Sequence, residues 1–106
     1  EIRHSIIGLR SFISSGVRIS DTIMMGADYY DSQGAPPPGG IPLGIGPDCH
    51  IQGAILDKNV RIGASVVIRP FPHGIELDHD DWVVRDGIVV IPKNTVLPDG
   101  TVIAPD

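Results

Sequence analysis

The chain contains only two lysines, Lys58 and Lys93, and both occupy the same kind of place. Each stands two residues beyond a large aliphatic, Leu56 in one case and Ile91 in the other. Two ammonium groups held roughly 5–10 Å apart repel each other and attract an anion that bridges them. A phosphate group suits that role, gripped by compact point charges. On residue type alone the competing reading is a pair of solvated turn lysines. The pair becomes a site only if Leu56 and Ile91 share a column, so that both amines leave one edge. The other basic residues are Arg3, Arg10, Arg18, Arg61, Arg69 and Arg85. They read as solvated-face residues, some of them available to an anion or to a neighbouring domain.

Other side chains with chemical potential are less well arranged. Asp78-His79-Asp80-Asp81, with His73 nearby, has the composition of a metal cluster. It lacks helical or paired ligand spacing, so it reads as an acidic surface loop, and no metal site is expected. Cys49 is alone, which rules out an internal disulfide and fits a reducing compartment, and its inward-leaning place before Ile51 makes it a small core residue. No catalytic residue and no cofactor site is assigned within the chain.

What must position the lysines is a repeat. From Ile51, large aliphatics recur at Leu56, Ile62 and Ile68, in steps of five, six and six. Those steps match neither strand alternation nor helical drift. Six-residue spacing beside small residues is the mark of a hexapeptide β-helix, whose aliphatics point into a triangular coil. Gly63 suits a corner, where φ can need to be positive and a Cβ would collide. Ile2, Ile7, Ile13 and Ile19 repeat the same steps, which makes one coil 17 residues long. One column then holds Ile2, Ile19, Ile51 and Ile68, and a second holds Ile7, Met24 and Leu56. Residues 28–43, with their Pro and Gly run, read as a loop thrown out from the second coil. Residues 69–85 read as a second, irregular insertion before the sixes resume at Ile91, Leu97 and Ile103. Tyr29, Tyr30 and Trp82 are candidates to pack these insertions down or to meet another domain.

The whole chain agrees with this reading. At 106 residues it is one small domain, and its 13 Gly and 10 Pro argue for corners over long helices. Aromatics make up only 5%, so the interior must be aliphatic. A net charge of −5 disfavours nucleic acid and anionic membranes as partners. The aliphatic run from Ile88 to Ile91 is too short to span a bilayer. The expected fold is all-β: a single-stranded parallel β-helix with two loop insertions.

Longer motifs are more specific than the repeat. Asp21-Thr22-Ile23-Met24-Met25-Gly26-Ala27-Asp28-Tyr29-Tyr30, Ile45-Gly46 with Cys49-His50-Ile51, and Asp57-Lys58-Asn59-Val60-Arg61-Ile62-Gly63 closely resemble one family. So do Gly87-Ile88-Val89-Val90 and Leu97-Pro98-Asp99-Gly100. The family is glucose-1-phosphate adenylyltransferase, or ADP-glucose pyrophosphorylase, in its C-terminal β-helix domain. The resemblance implies a left-handed coil. It also implies an enzyme that joins ATP and glucose 1-phosphate into ADP-glucose and pyrophosphate for starch or glycogen synthesis. That chemistry belongs to an N-terminal nucleotidyltransferase domain, where Mg2+ is expected, and nothing here matches its glycine-rich nucleotide loop. The expected partners are that catalytic domain, the other subunits of a homo- or heterotetramer, and a phosphorylated sugar or phosphoglycerate effector. Bacterial cytoplasm or plastid stroma is the implied location. In the family, two lysines contact the effector, and they match Lys58 and Lys93. Pro92 and the Pro/Gly content of residues 28–43 depart from the relatives.

Rival functions are a hexapeptide acyltransferase, a trimeric zinc enzyme of the carbonic anhydrase kind, and a bare scaffold. The first needs a His on a coil face, for which only His4 and His50 qualify, without a motif. The second needs three His ligands at an interface, which the spacing does not supply.

Overall fold

A computed structural model describes residues 1–28 and 40–105 of the chain. Fourteen short strands run in the order β1 Ile2–Arg3, β2 Ile6–Ile7, β3 Arg18–Ser20, β4 Ile23–Met24, β5 Gly44–Ile45, β6 His50–Gln52 and β7 Ala54–Leu56. Then come β8 Arg61–Ile62, β9 Val67–Ile68, β10 Leu77–Asp78, β11 Val83–Arg85, β12 Ile88–Ile91, β13 Val96–Leu97 and β14 Val102–Ile103. They assemble into three sheets, ordered β1-β3-β6-β9-β14, β10-β11-β12-β7-β4-β2 and β13-β8-β5. Strands of successive coils pair in parallel, as a coil that climbs one rung per turn requires.

The register stacks the aliphatics into columns. Ile2 pairs with Ile19, Ile19 with Ile51, Ile51 with Ile68, and Ile68 with Ile103. Ile7 pairs with Met24, Met24 with Leu56, and Leu56 with Ile91. Ile13, Ile45, Ile62 and Leu97 form the third column. Both columns read from the sequence are present. The core is this ladder, with Ile51, Leu56, Ile62 and Ile68 at most 1% exposed. Each such side chain contributes about 1.5–3 kcal/mol of burial before entropy is subtracted. Cys49 is fully buried among them, its Sγ donating to the Gly63 carbonyl at 3.1 Å. Burial pushes its thiol pKa up, so it is an inert core residue.

Corners are made mostly by polar residues in the left-handed region. Asp48, Asn59, Ser65 and Asn94 have φ between 57 and 64°. Asn and Asp tolerate that conformation because their short side chains bond locally. Gly63 is at a corner for the other reason. Its φ is unexceptional, but a Cβ there would stand 2.7 Å from the Asp99 backbone nitrogen.

The first expected insertion, 28–43, falls largely outside the described residues, among them Tyr29, Tyr30 and the run up to Gly39. The second insertion is more ordered than its sequence suggests. Leu77–Asp78 pairs antiparallel with Val83–Val84, and Val83–Arg85 pairs antiparallel with Ile88–Val90. Beyond the last rung, one sheet therefore continues as a small meander. Val84 belongs to the buried core, and Phe71 and Trp82 pack against it. Local alternation of two-residue strands hides such a ladder from a search for six-residue steps.

Candidate anion site

The two lysines share an edge. Leu56 is level with Ile91, and Arg61 with Val96, so the intervening corners are in register and Lys93 lies one rung above Lys58. Adjacent rungs are about 4.8 Å apart. The corners are pinned to each other: Asp57 N donates to the Ile91 carbonyl at 2.9 Å, and Asn94 N to the Lys58 carbonyl at 3.0 Å. In both corners the residue after lysine is an asparagine with positive φ, Asn59 or Asn94, which turns the chain and leaves lysine at the apex. The lysine side chains are 46% and 54% exposed.

Between the amines stands a residue that the sequence reading counted only as the start of a loop. Asp28 Oδ1 lies 3.2 Å from Lys58 Nζ, and its Oδ2 lies 3.7 Å from Lys93 Nζ. Asn59, 4% exposed, holds this acid from below. Its Nδ2 donates to Asp28 Oδ2 at 3.2 Å, and its Oδ1 accepts from Asp28 N at 2.8 Å. The Asn59 hydrogen bond, followed by Lys58, holds the Asp28 carboxyl below the usual carboxylate range. The signal for Asp28 and Asn59 was present but indirect. Asp28 lies four residues past inward Met24 and Asn59 three past inward Leu56, and Met24 and Leu56 are neighbours in one column. Asp57 completes the corner, its Oδ1 accepting from Lys58 N at 2.7 Å.

The arginines divide. Arg61, expected on a solvated face, is only 6% exposed, and its Nη1 donates to the Ile41 carbonyl at 3.0 Å. Its neighbour on the rung below is Gly44, whose missing Cβ faces Phe12. Arg3 pairs with Glu1, Arg85 with Asp78, and Arg10 reaches the Ala27 carbonyl at 3.4 Å. Arg3, Arg18 and Arg69 line a separate open groove of about 520 Å³ with His50, on a different face from the lysines.

The remaining candidates have local partners. Asp78 is bound to Arg85, and His79 stacks on Trp82 with ring centroids 4.6 Å apart. His79 Nδ1 accepts from Asp81 N at 3.1 Å. His73 lies 3.2 Å from Asp86, and His4 lies 3.6 Å from Asp21. His50 is exposed on β6.

Comparison with known proteins accords with this architecture. Residues 1–102 match the family model described as the GLGC left-handed parallel beta-helix domain. The chain is 46% identical over 109 residues to the glucose-1-phosphate adenylyltransferase small subunit, chloroplastic/amyloplastic, of Triticum aestivum, covering 97% of this chain and 23% of that protein. It is 46% identical over 110 residues to the glucose-1-phosphate adenylyltransferase small subunit of Zea mays, covering 97% of this chain and 88% of that sequence. The chain thus spans about a quarter of the wheat relative's length and most of the maize one's. The parallel rungs, the three aliphatic columns and these matches together place the chain in the left-handed β-helix domain family of the glucose-1-phosphate adenylyltransferases.

Proposed function

We propose that this chain serves as the regulatory and assembly domain of a glucose-1-phosphate adenylyltransferase, with Lys58 and Lys93 receiving the phosphate of an allosteric effector. One observation carries the reading: both ammonium groups rise from stacked corners and converge on a single carboxylate. A pair of amines that can bridge one small anion can bridge a phosphate group, with more charge and more acceptor oxygens to bind. The effector class is a phosphorylated sugar or a phosphoglycerate. The wheat and maize relatives are small subunits by name. By analogy the partners here are a nucleotidyltransferase domain, where Mg2+ would act, and further subunits of a tetramer. The wheat protein's plastid designation makes the plastid stroma the favoured location.

Calorimetric titration with 3-phosphoglycerate tests this directly. Lys58→Ala and Lys93→Ala should each weaken binding by roughly tenfold, because each removes one of two charge-assisted contacts. Equal affinity in the native chain and both variants would reject the site.

A further inference from the structure

The lysine pair is not vacant. Asp28 puts one carboxylate oxygen toward each ammonium, where a bridging anion would have to stand. We propose that Asp28 is the resident anion of this site, and that ligands bind by exchanging with its carboxylate. The inference rests on the lysine pair being the effector site, and adds how that site is regulated and which anions it accepts.

The exchange follows from charge and mobility. With Asp28 in place, two positive charges face one negative charge. A monoanion such as formate offers the lysines nothing beyond what Asp28 already gives. A phosphate dianion offers twice the charge and three acceptor oxygens, so it gains by the replacement. A ligand shifts an equilibrium only by its differential affinity for the two states, and here the competing state is an internal ion pair. The Asp28 side chain is 43% exposed, so it can turn toward water without crossing the core. Its backbone N–H bond to Asn59 Oδ1 does not depend on where the carboxylate points. The contact from Asn59 Nδ2 to Asp28 Oδ2 does depend on it. That amide is therefore a reporter: it loses its Asp28 acceptor when the carboxylate turns away. Asp57, the other acid at this corner, bonds the Lys58 backbone N–H. It stays in place during the exchange.

The test is an NMR titration of the native chain, Asp28→Asn and a Lys58→Ala/Lys93→Ala double variant with inorganic phosphate at pH 8. A parallel titration uses formate, and the Asn59 side-chain amide is followed in each. Asparagine at 28 keeps an oxygen for Asn59 Nδ2 while removing the charge, and Asp28→Ala serves as the second variant. In the native chain, phosphate should shift the Asn59 amide and formate should not. Asp28→Asn should bind phosphate about fivefold more tightly, the scale set by loss of two solvent-exposed ion pairs, and should begin to bind formate. Unchanged or weaker phosphate binding in Asp28→Asn and Asp28→Ala, with binding lost in the double lysine variant, would overturn the exchange and leave the lysine site standing. Native-like binding in the double variant would overturn both.

Discussion

The two ends of the coil stack are built from the same aliphatic repeat and end differently. At the first rung the inward Ile2 is 48% exposed, and Ile7 and Ile13 are only partly buried. At the last rung Ile91, Leu97 and Ile103 are all at most 2% exposed. An inward position is therefore not enough to bury a side chain, because a rung is covered only when something lies on both sides of it. The last rung has its cover because one sheet continues past it through β11 and β10, bringing Val84 into the core and Phe71 and Trp82 against it. The first rung has no such layer among the described residues.

This contrast can be broken or sharpened by substitution. The largest effect is expected from Val84→Asp, which puts an unpaired charge into a site with no exposure. It should cost on the order of 4 kcal/mol and detach the meander, seen as a lower urea midpoint and a change in Trp82 fluorescence. Next, Leu97→Ala at the covered end should cost about 2–5 kcal/mol through the cavity left behind. The matching change at the open end of the same column, Ile13→Ala, should cost less, about 1 kcal/mol, since that side chain is only partly buried. Comparable costs at the two ends would mean that the first rung is covered in solution. The smallest effect concerns the lysine ridge. The Asp28 pKa is lowered from its ordinary 3.8, first by Asn59 and then by Lys58. Its contribution is whole above the ordinary carboxylate value and is lost as the pH falls through the lowered folded one. Urea midpoints measured from pH 6 down to pH 3 should therefore fall slightly less in Asp28→Asn than in the native chain.

How much of this was legible in the residues depended on whether the period carried it. Ile19, Ile51 and Ile68 announce one column and Met24 and Leu56 another, because six-residue steps admit no other packing that buries them. The relation of Lys58 to Lys93 was legible for the same reason, both being counted from inward residues. Arg61 was misread because its acceptor, the Ile41 carbonyl, belongs to the 28–43 stretch and cannot be read from residue type. The strands at 77–78 and 83–85 were read as irregular because their pairing reverses direction and follows a two-residue alternation. Asp28 was passed over as the mouth of a loop. Its role needs the register between coils, and a 15-residue excess between Ile19 and Ile51 obscures that register along the chain.

The meander precedes the last rung in sequence yet lies outside it in space, because β12 is threaded between β7 and β11. The chain cannot simply wind to its end one turn at a time; its final turn must slide in beneath strands made earlier, or dock together with them as a preassembled flap. The antiparallel contacts of that flap are local in sequence and close quickly, so it is positioned to form first. Once seated, it leaves that sheet without a parallel template at this pole, while the other two sheets end there on β13 and β14.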